Sequence, residues 1–348
     1  MAYTTINKSS LNFNTKLYTG NGGTNNITGV GFKPDLVWTK QRTDAADHRL
    51  YDIVRGVYKQ IASNTSAAEE TSNTTLTAFG SDGFSLGSNA DANQNAKNFA
   101  SWNWKAGTAV SGNTTGSGTS KSYSGSVNTT SGFSIIKYTG NGSSGHTIPH
   151  RLGVTPKMII VKSTSNAYEW TVYHASLGAT KWIELQSTAA ANTGSLAWNN
   201  TTPTSSVFTV GNNNRTNGSA TYVAYCFAEK QGYSKFGSYT GNGNADGTFV
   251  YTGFKPTWVM AKRSNSASSG NWNIRDTKRS PINLASQVLQ ADSTAVEGNA
   301  SGTLIDIYSN GFKPRNGGSG VNANNSPYIY MAFGQSIVGT NNIPATAR

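Results

Sequence analysis

Apolar residues along this chain fall in short runs, rich in β-branched and aromatic side chains and broken by turns of Gly, Asn and Ser. That pattern predicts strands joined by tight connections. The runs are in register with a motif, YTGNG, that occurs at 18–22, 138–142 and 239–243. Each copy leads through a polar loop to a G-x-x-P corner, at Gly31 and Pro34, Gly153 and Pro156, and Gly253 and Pro256. An apolar run then reaches a lysine six residues past the proline: Lys40, Lys162 and Lys262. The same internal order three times over implies one module used three times.

The repeat continues beyond its first half. Phe84, Phe208 and Phe312 each open a penultimate strand, and closing runs follow that begin and end on rings five residues apart: Phe99 and Trp104, Tyr222 and Phe227, Tyr328 and Phe333. An odd spacing on a strand sends the two rings to opposite faces. The closing strand should therefore be covered on both sides, or use one face against a neighbouring module. Trp170 and Trp272 match in context, with His48 at the comparable position of the first module. Residues 63–73 and 283–292 are the best short helix candidates, and neither sustains a period of 3.6. The expected fold is all-β, each module a sandwich of seven or eight strands of jelly-roll type.

The modules divide the chain into an N-terminal arm at 1–16, module one at 17–107, a Gly/Ser/Thr-rich linker at 108–132, module two at 133–230, module three at 236–335 and a C-terminal arm at 336–348. Leu11 and Phe13 are the expected apolar anchors of the first arm. The linker composition predicts a flexible joint that packs no core. Module one should then swing, while modules two and three are closely coupled.

Composition changes this picture in two ways. Hydrophobic residues without Gly make up 36% of the 348, against the ~45–50% of an average chain, which counts Gly; with 8 Trp and 16 Tyr, small ring-rich cores are expected. The net charge is +12, which suits an acidic partner. There is no run of five or six like charges and no basic helical stripe, so nucleic acid is not expected among the partners. The single cysteine, Cys226, lies in the strand-like run YVAYCFAE, where a buried structural thiol is expected and no disulfide within the chain can form. The N-terminus lacks an apolar signal region, and no run is long enough to span a bilayer. Synthesis in a bacterial cytoplasm without a signal peptide, and no membrane insertion, are the expectations.

Candidate chemistry is sparse. His146 and His150 stand four apart, but Pro149 and the Gly-rich surroundings exclude the helix that would aim both at a metal. Glycoside cleavage needs two carboxylates across a cleft, and no acid recurs at one position in all modules. Asp52 and Asp276 each precede an arginine by three, Arg55 and Arg279, a pattern better suited to a structural ion pair. Each G-N-G precedes another loop and not a helix, so it reads as a type I′ hairpin turn and not a phosphate cradle. No G-x-S-x-G elbow is present. No catalytic residue, cofactor or metal is expected, and the protein reads as a non-enzyme. Lys33, Lys40, Lys162, Lys255, Lys262 and Lys313 stand at or near repeated positions and are the candidate docking residues of a basic rim.

The series KLYTGNG, IIKYTGNG with HRLGVTPKMIIVK, YVAYCFAEKQGYSKFGSYTGNG with FVYTGFKPTWVMAKR, then YIYMAFGQ and NNIPATAR, resembles a family of tailed-phage proteins. The resemblance spans nearly the whole chain. It implies a virion structural protein of phages of marine and freshwater bacteria, with no enzymatic activity and no catalytic residues to carry over. Two placements follow from it. One is a capsid decoration or cement protein on the outer head, its partners the major capsid protein and copies of itself in a homo-oligomer. The alternative is a tail-associated adhesin that binds host surface glycan through Trp170, Tyr173 and Trp272.

Overall fold

In the computed structural model, which describes residues 4–268, 270–299 and 301–336, the apolar run after each G-x-x-P corner is a buried strand. The corner glycines turn the chain with positive φ, +92° at Gly31, +72° at Gly153 and +81° at Gly253, a region in which a Cβ is unfavourable. The all-β expectation holds, and the sheets are antiparallel throughout.

Three large sheets repeat one strand order. In the first unit Phe13–Thr19, Asn98–Trp104, Leu36–Gln41 and Arg49–Asp52 lie side by side. In the second the same order runs Phe133–Thr139, Thr221–Phe227, Met158–Ser163, Thr171–His174. In the third it runs Ser234–Thr240, Pro327–Ser336, Phe254–Arg263, Asn273–Asp276. Each closing strand is thus central in its sheet. A small sheet packs on one face of each large one and encloses a private core. Ile27, Val37, Phe84 and Leu86 fill the first, Ile148, Ile159, Phe208 and Tyr222 the second, and Val250, Val259, Phe312 and Tyr328 the third.

The opposite faces of the three large sheets meet in one common core. Trp38, Trp102, Trp104, Ile160, Trp170, Tyr225, Phe227, Trp258, Trp272 and Phe333 belong to it, drawn from all three units. At its centre the last rings of the three closing strands touch pairwise. Trp104 to Phe227 is 6.3 Å, Phe227 to Phe333 is 6.1 Å and Phe333 to Trp104 is 5.8 Å between centroids. A local three-fold arrangement follows, with these rings on its axis. No channel runs there: the void lined by Trp38, Trp104, Phe227 and Met331 is about 10 Å³, room for a water at most. Both consequences of the odd ring spacing are therefore met at once.

The first ring of each closing strand is spent inside its own unit. Tyr18 stacks on Phe99, Tyr138 on Tyr222 and Tyr239 on Tyr328, at 5.1, 5.1 and 5.0 Å. The same tyrosines meet Phe84, Phe208 and Phe312 edge-on. Their hydroxyls donate to the carbonyls of Ala92, Thr216 and Val321. The next residue in each case is a fully buried asparagine, Asn93, Asn217 or Asn322. Its side-chain oxygen accepts the N–H of Asn21, Asn141 or Asn242 at 3.0 Å, so each YTGNG loop is pinned from below.

The G-N-G is not the expected two-residue hairpin. Only its second glycine has positive φ (Gly22, Gly142, Gly243), and the first unit needs the whole of 20–24 to pass from one sheet to the other. The first glycine serves close approach: a Cβ on Gly20, Gly140 or Gly241 would sit 2.2, 2.2 or 2.4 Å from a backbone oxygen of the asparagine loop.

The linker is likewise not a free joint. Ser122–Asn128 and Thr108–Asn113 extend the second large sheet, and Thr115–Gly116 joins the second small sheet. Backbone pairing needs no apolar side chain, and Gly125 fits because a Cβ there would lie 2.4 Å from Ile135 O. Tyr123 and Val127 supply the burial. Ser126 Oγ donates to Asp35 Oδ1 at 3.1 Å, tying the segment to the first unit. The first unit is therefore held, not swinging. The N-terminal arm is also anchored: Ile6 and Phe13 enter the common core, and Phe13 stacks on Phe333 at 5.0 Å. The helix candidates contain short strands, Glu70–Thr71 and Gln287–Gln290, and no helix. The C-terminal arm, 336–348, lies outside the described residues except Ser336, which ends a strand.

Candidate functional site

The seams between units gather most residues that the repeat marks out, and they close in one direction. Lys40 Nζ donates to Thr294 O of the third unit, Lys162 Nζ to Ser66 O of the first, and Lys262 Nζ to Ser187 O of the second, at 3.2, 3.1 and 2.9 Å. His48 Nε2 meets Gln290 O, Trp170 Nε1 donates to Ala62 O, and Trp272 Nε1 donates to Glu184 O, again first to third, second to first and third to second. A heterologous contact that returns to its starting unit after three steps makes a closed ring.

A third layer breaks the symmetry. Asp276 accepts from Trp102 Nε1 and Asp52 from Tyr225 Oη, at 3.0 and 2.8 Å. The same register position in the second unit holds His174, which faces the backbone oxygen of Tyr330. Asp52 and Asp276 are each paired with their arginine at 2.5 Å, with both side chains buried. Each carboxylate also caps its own turn by accepting two backbone N–H groups, from Val54 and Arg55 or from Lys278 and Arg279. These D-x-x-R pairs are structural, as the sequence reading expects.

Several candidate residues are in consequence not on a surface. Lys40, Lys162 and Lys262 are fully buried, so they cannot form a docking rim. They lie at the inner end of a seam, where backbone carbonyls replace water, and burial pulls each ammonium down to about 8. Trp170, Tyr173 and Trp272 are buried too, with exposures of 0%, 2% and 0%. The two indoles seal seams, and Tyr173 packs edge-on against Trp198 in the second core. None can reach a glycan. Of the remaining lysines, Lys33 is exposed, Lys255 is half-buried, and Lys313 is half-buried and paired with Asp246. The buried three are not gathered in one site: they hold equivalent places, one in each seam.

His146 is buried between Asn217 Oδ1 and Thr114 Oγ1, and His150 holds Thr204 O. Neither faces a second metal-type ligand, and among the described residues no group of three His, Cys, Asp or Glu could hold an ion. Cys226 is buried on a closing strand, where desolvation pushes its thiol up, away from thiolate reactivity.

Among the shallow grooves of the described surface, two lie beside repeat landmarks, the second D-x-x-R turn and a YTGNG loop. One, of about 530 Å³, is lined by Arg279, Ile282, Leu284, Gln287, Asn299 and Leu304. Its single ionisable group is already paired with Asp276 and Glu297. The other, of about 400 Å³, runs beside the second YTGNG loop between Thr119, Lys121, Thr139, Asn141 and Thr221. Neither holds a nucleophile next to a base. Sequence reasoning missed the exposed rings Phe249 and Tyr251 and the half-buried Tyr308, at or next to the third small sheet. The signal was available: the positions matching Phe249 and Tyr251 are not aromatic in the other two units.

A family model described as a domain of unknown function, DUF7483, matches residues 8–336, and the chain belongs to that family. The matched span covers all three units, so the family's unit is the closed ring and not one repeat. No curated protein and no solved structure matches the chain.

Proposed function

We propose that this chain is a non-enzymatic virion structural protein of a tailed phage, placed on the outer head as a decoration protein. The observation that carries the reading is the closed ring of three like units. A shell built from symmetric subunits presents local three-fold positions, and a body with three similarly directed faces can contact three neighbours there in the same way. The motif resemblance to tailed-phage proteins supplies the particle. The net charge of +12 favours an acidic partner shell, through steering and salt-sensitive attraction. The seams bury the repeated lysines and indoles, so docking falls to the polar outer loops and to Lys33-type exposed cations. Three such contacts would together bury on the order of 1,000 Å² or more.

The decisive measurement is copy number in purified virions, by quantitative mass spectrometry against the major capsid protein. Copies in the hundreds per particle support the head placement. A dozen or so would move the chain to the tail, and its absence from particles would overturn the proposal.

A further inference from the structure

We infer that the outer face of the third small sheet is a binding platform for a neutral glycan, built by Phe249, Tyr251 and Tyr308. This does not rest on the head placement proposed above, because the face is open wherever the protein sits.

The three small sheets form an internal control. Val250 pairs with Phe312 as Ile27 pairs with Phe84 and Ile148 with Phe208, so positions correspond one to one. The neighbours of these inward residues point outward. In the first unit they are Asn26 and Thr28, and in the second Thr147 and Pro149. In the third they are Phe249 and Tyr251, 44% and 57% exposed. Across the sheet Tyr308 stands where the first unit has Gly80. The fold accepts non-aromatic residues at the first two places in both other units, and Gly80 at the third place in the first unit, so it does not require rings there.

Geometry makes the rings one surface. Tyr251 and Tyr308 both pair with Gly311, which lies between them as a floor. A Cβ on Gly311 would meet Val250 O at 2.2 Å, as one on Gly83 would meet Ile27 O, and the Phe249 ring at 2.9 Å, so that ring lies over the glycine. Phe249 meets Tyr308 at 5.8 Å with the planes at 78°. Beside them Lys313 and Arg315 bond Asp246, and Arg315 also bonds Asp306. Asp246 keeps 79% of its side chain exposed, with oxygens still open to a ligand.

Size and charge choose the occupant. Aromatic side chains offer roughly 150–250 Å² each, so two rings at half exposure present on the order of 200 Å². A stable protein interface takes about 800 Å² per partner, and the patch is too small to be one. Its rim carries two cations and two anions already paired, so in a chain of net charge +12 it is not the place for an anionic ligand. A flat apolar surface with paired, directional hydrogen-bonding groups at its edge suits a pyranose. The C–H face of such a sugar lies on a ring while its hydroxyls bond carboxylate and guanidinium.

The test uses the full chain on a printed array of neutral hexose and N-acetylhexosamine oligosaccharides, with their sulfated and uronic-acid counterparts. Phe249→Asn and Tyr251→Thr install what the first unit carries at the same positions, which keeps the fold, and unchanged melting verifies that it has. The expected result is binding to a neutral class that falls about three- to tenfold for each ring removed. Asn26→Ala and Thr28→Ala, at the matching positions of the first unit, should leave it unchanged. Absence of neutral binding, binding that survives both ring variants, or preference for the anionic series would overturn the inference. So would a Tyr251-dependent dimer in light scattering.

Discussion

Trp104 and Phe333 meet at 5.8 Å with their planes at 73°, although one closes the first unit and the other the third. Phe227 completes the triangle, and no two of these rings share a sheet. The relationship makes folding of each unit conditional on the others, because half the apolar surface of every large sheet is covered only by its neighbours.

Removing a ring from the triangle should therefore destabilise the whole body. Trp104→Ala, Phe227→Ala and Phe333→Ala are each expected to cost about 3–5 kcal/mol. Calorimetry should show one transition that moves to lower temperature in all three variants. Three separable transitions, only one of them shifted, would contradict a shared core.

The buried Asp52–Arg55 pair should matter far more than an exposed one. Asp52→Asn removes the closer of the two carboxylates on Arg55, leaving Glu69 at 3.3 Å, and weakens the acceptor for Tyr225, and is expected to cost about 3–5 kcal/mol. Asp246→Asn, at a solvated carboxylate, should leave denaturant midpoints unchanged. Comparable effects of the two substitutions would mean that the first pair is solvated in solution.

Acid should weaken the fold through its histidines. Nδ1 of His48, His150 and His174 accepts an N–H, from Trp38, Leu152 and Ser176, while Nε2 faces a carbonyl oxygen. Each ring is thereby held as the neutral Nε2–H tautomer, and protonation would set one N–H against another. Burial lowers His150 and His174 to about 4 from the usual 6.5. With the folded value depressed, the unfolded chain binds more protons in that window, so stability is full above 6.5 and falls as pH drops towards about 4. The loss is roughly 3 kcal/mol per histidine. Melting temperature followed across this range should slope downward on acidification, and His174→Gln should flatten the slope.

Amine labelling separates seam lysines from surface ones. Acylation of the folded chain, read by peptide mass spectrometry, should spare Lys40, Lys162 and Lys262 and modify Lys33. Denaturation should equalise them. Early modification of the seam lysines would mean that the ring opens readily.

The buried asparagines should govern the YTGNG loops. Asn217 Nδ2 donates to Ser143 O and Gly211 O, at 2.8 and 2.7 Å, and its oxygen accepts from Asn141. Asn217→Ala should cost about 1–3 kcal/mol and speed proteolytic cleavage near Asn141. Unaltered cleavage would mean that the tyrosine stack holds the loop alone.

Whatever repeats locally could be read from the residues alone. The strand runs, the corners with their glycines, the Tyr–Phe marks and the odd spacing of the closing rings all state which backbone conformation is allowed and which side chains share a face. They were legible because a strand's period and a glycine's φ are properties of neighbouring residues. The matching of His48 with Trp170 and Trp272 was legible for the same reason, and so was the D-x-x-R turn. Only the tertiary structure decided what lies opposite each face. Lys40, Lys162 and Lys262 read as surface cations because a lysine's burial depends on carbonyls from another unit, far away in the chain. The linker read as flexible because strand pairing satisfies backbone groups whatever the side chains are, and so leaves little mark in composition. Trp170 and Trp272 read as ligand rings and prove to be seals, while Phe249 and Tyr251 are among the rings left to solvent. Periodicity says which residues look the same way; only closure of the ring says whether they look at protein or at water.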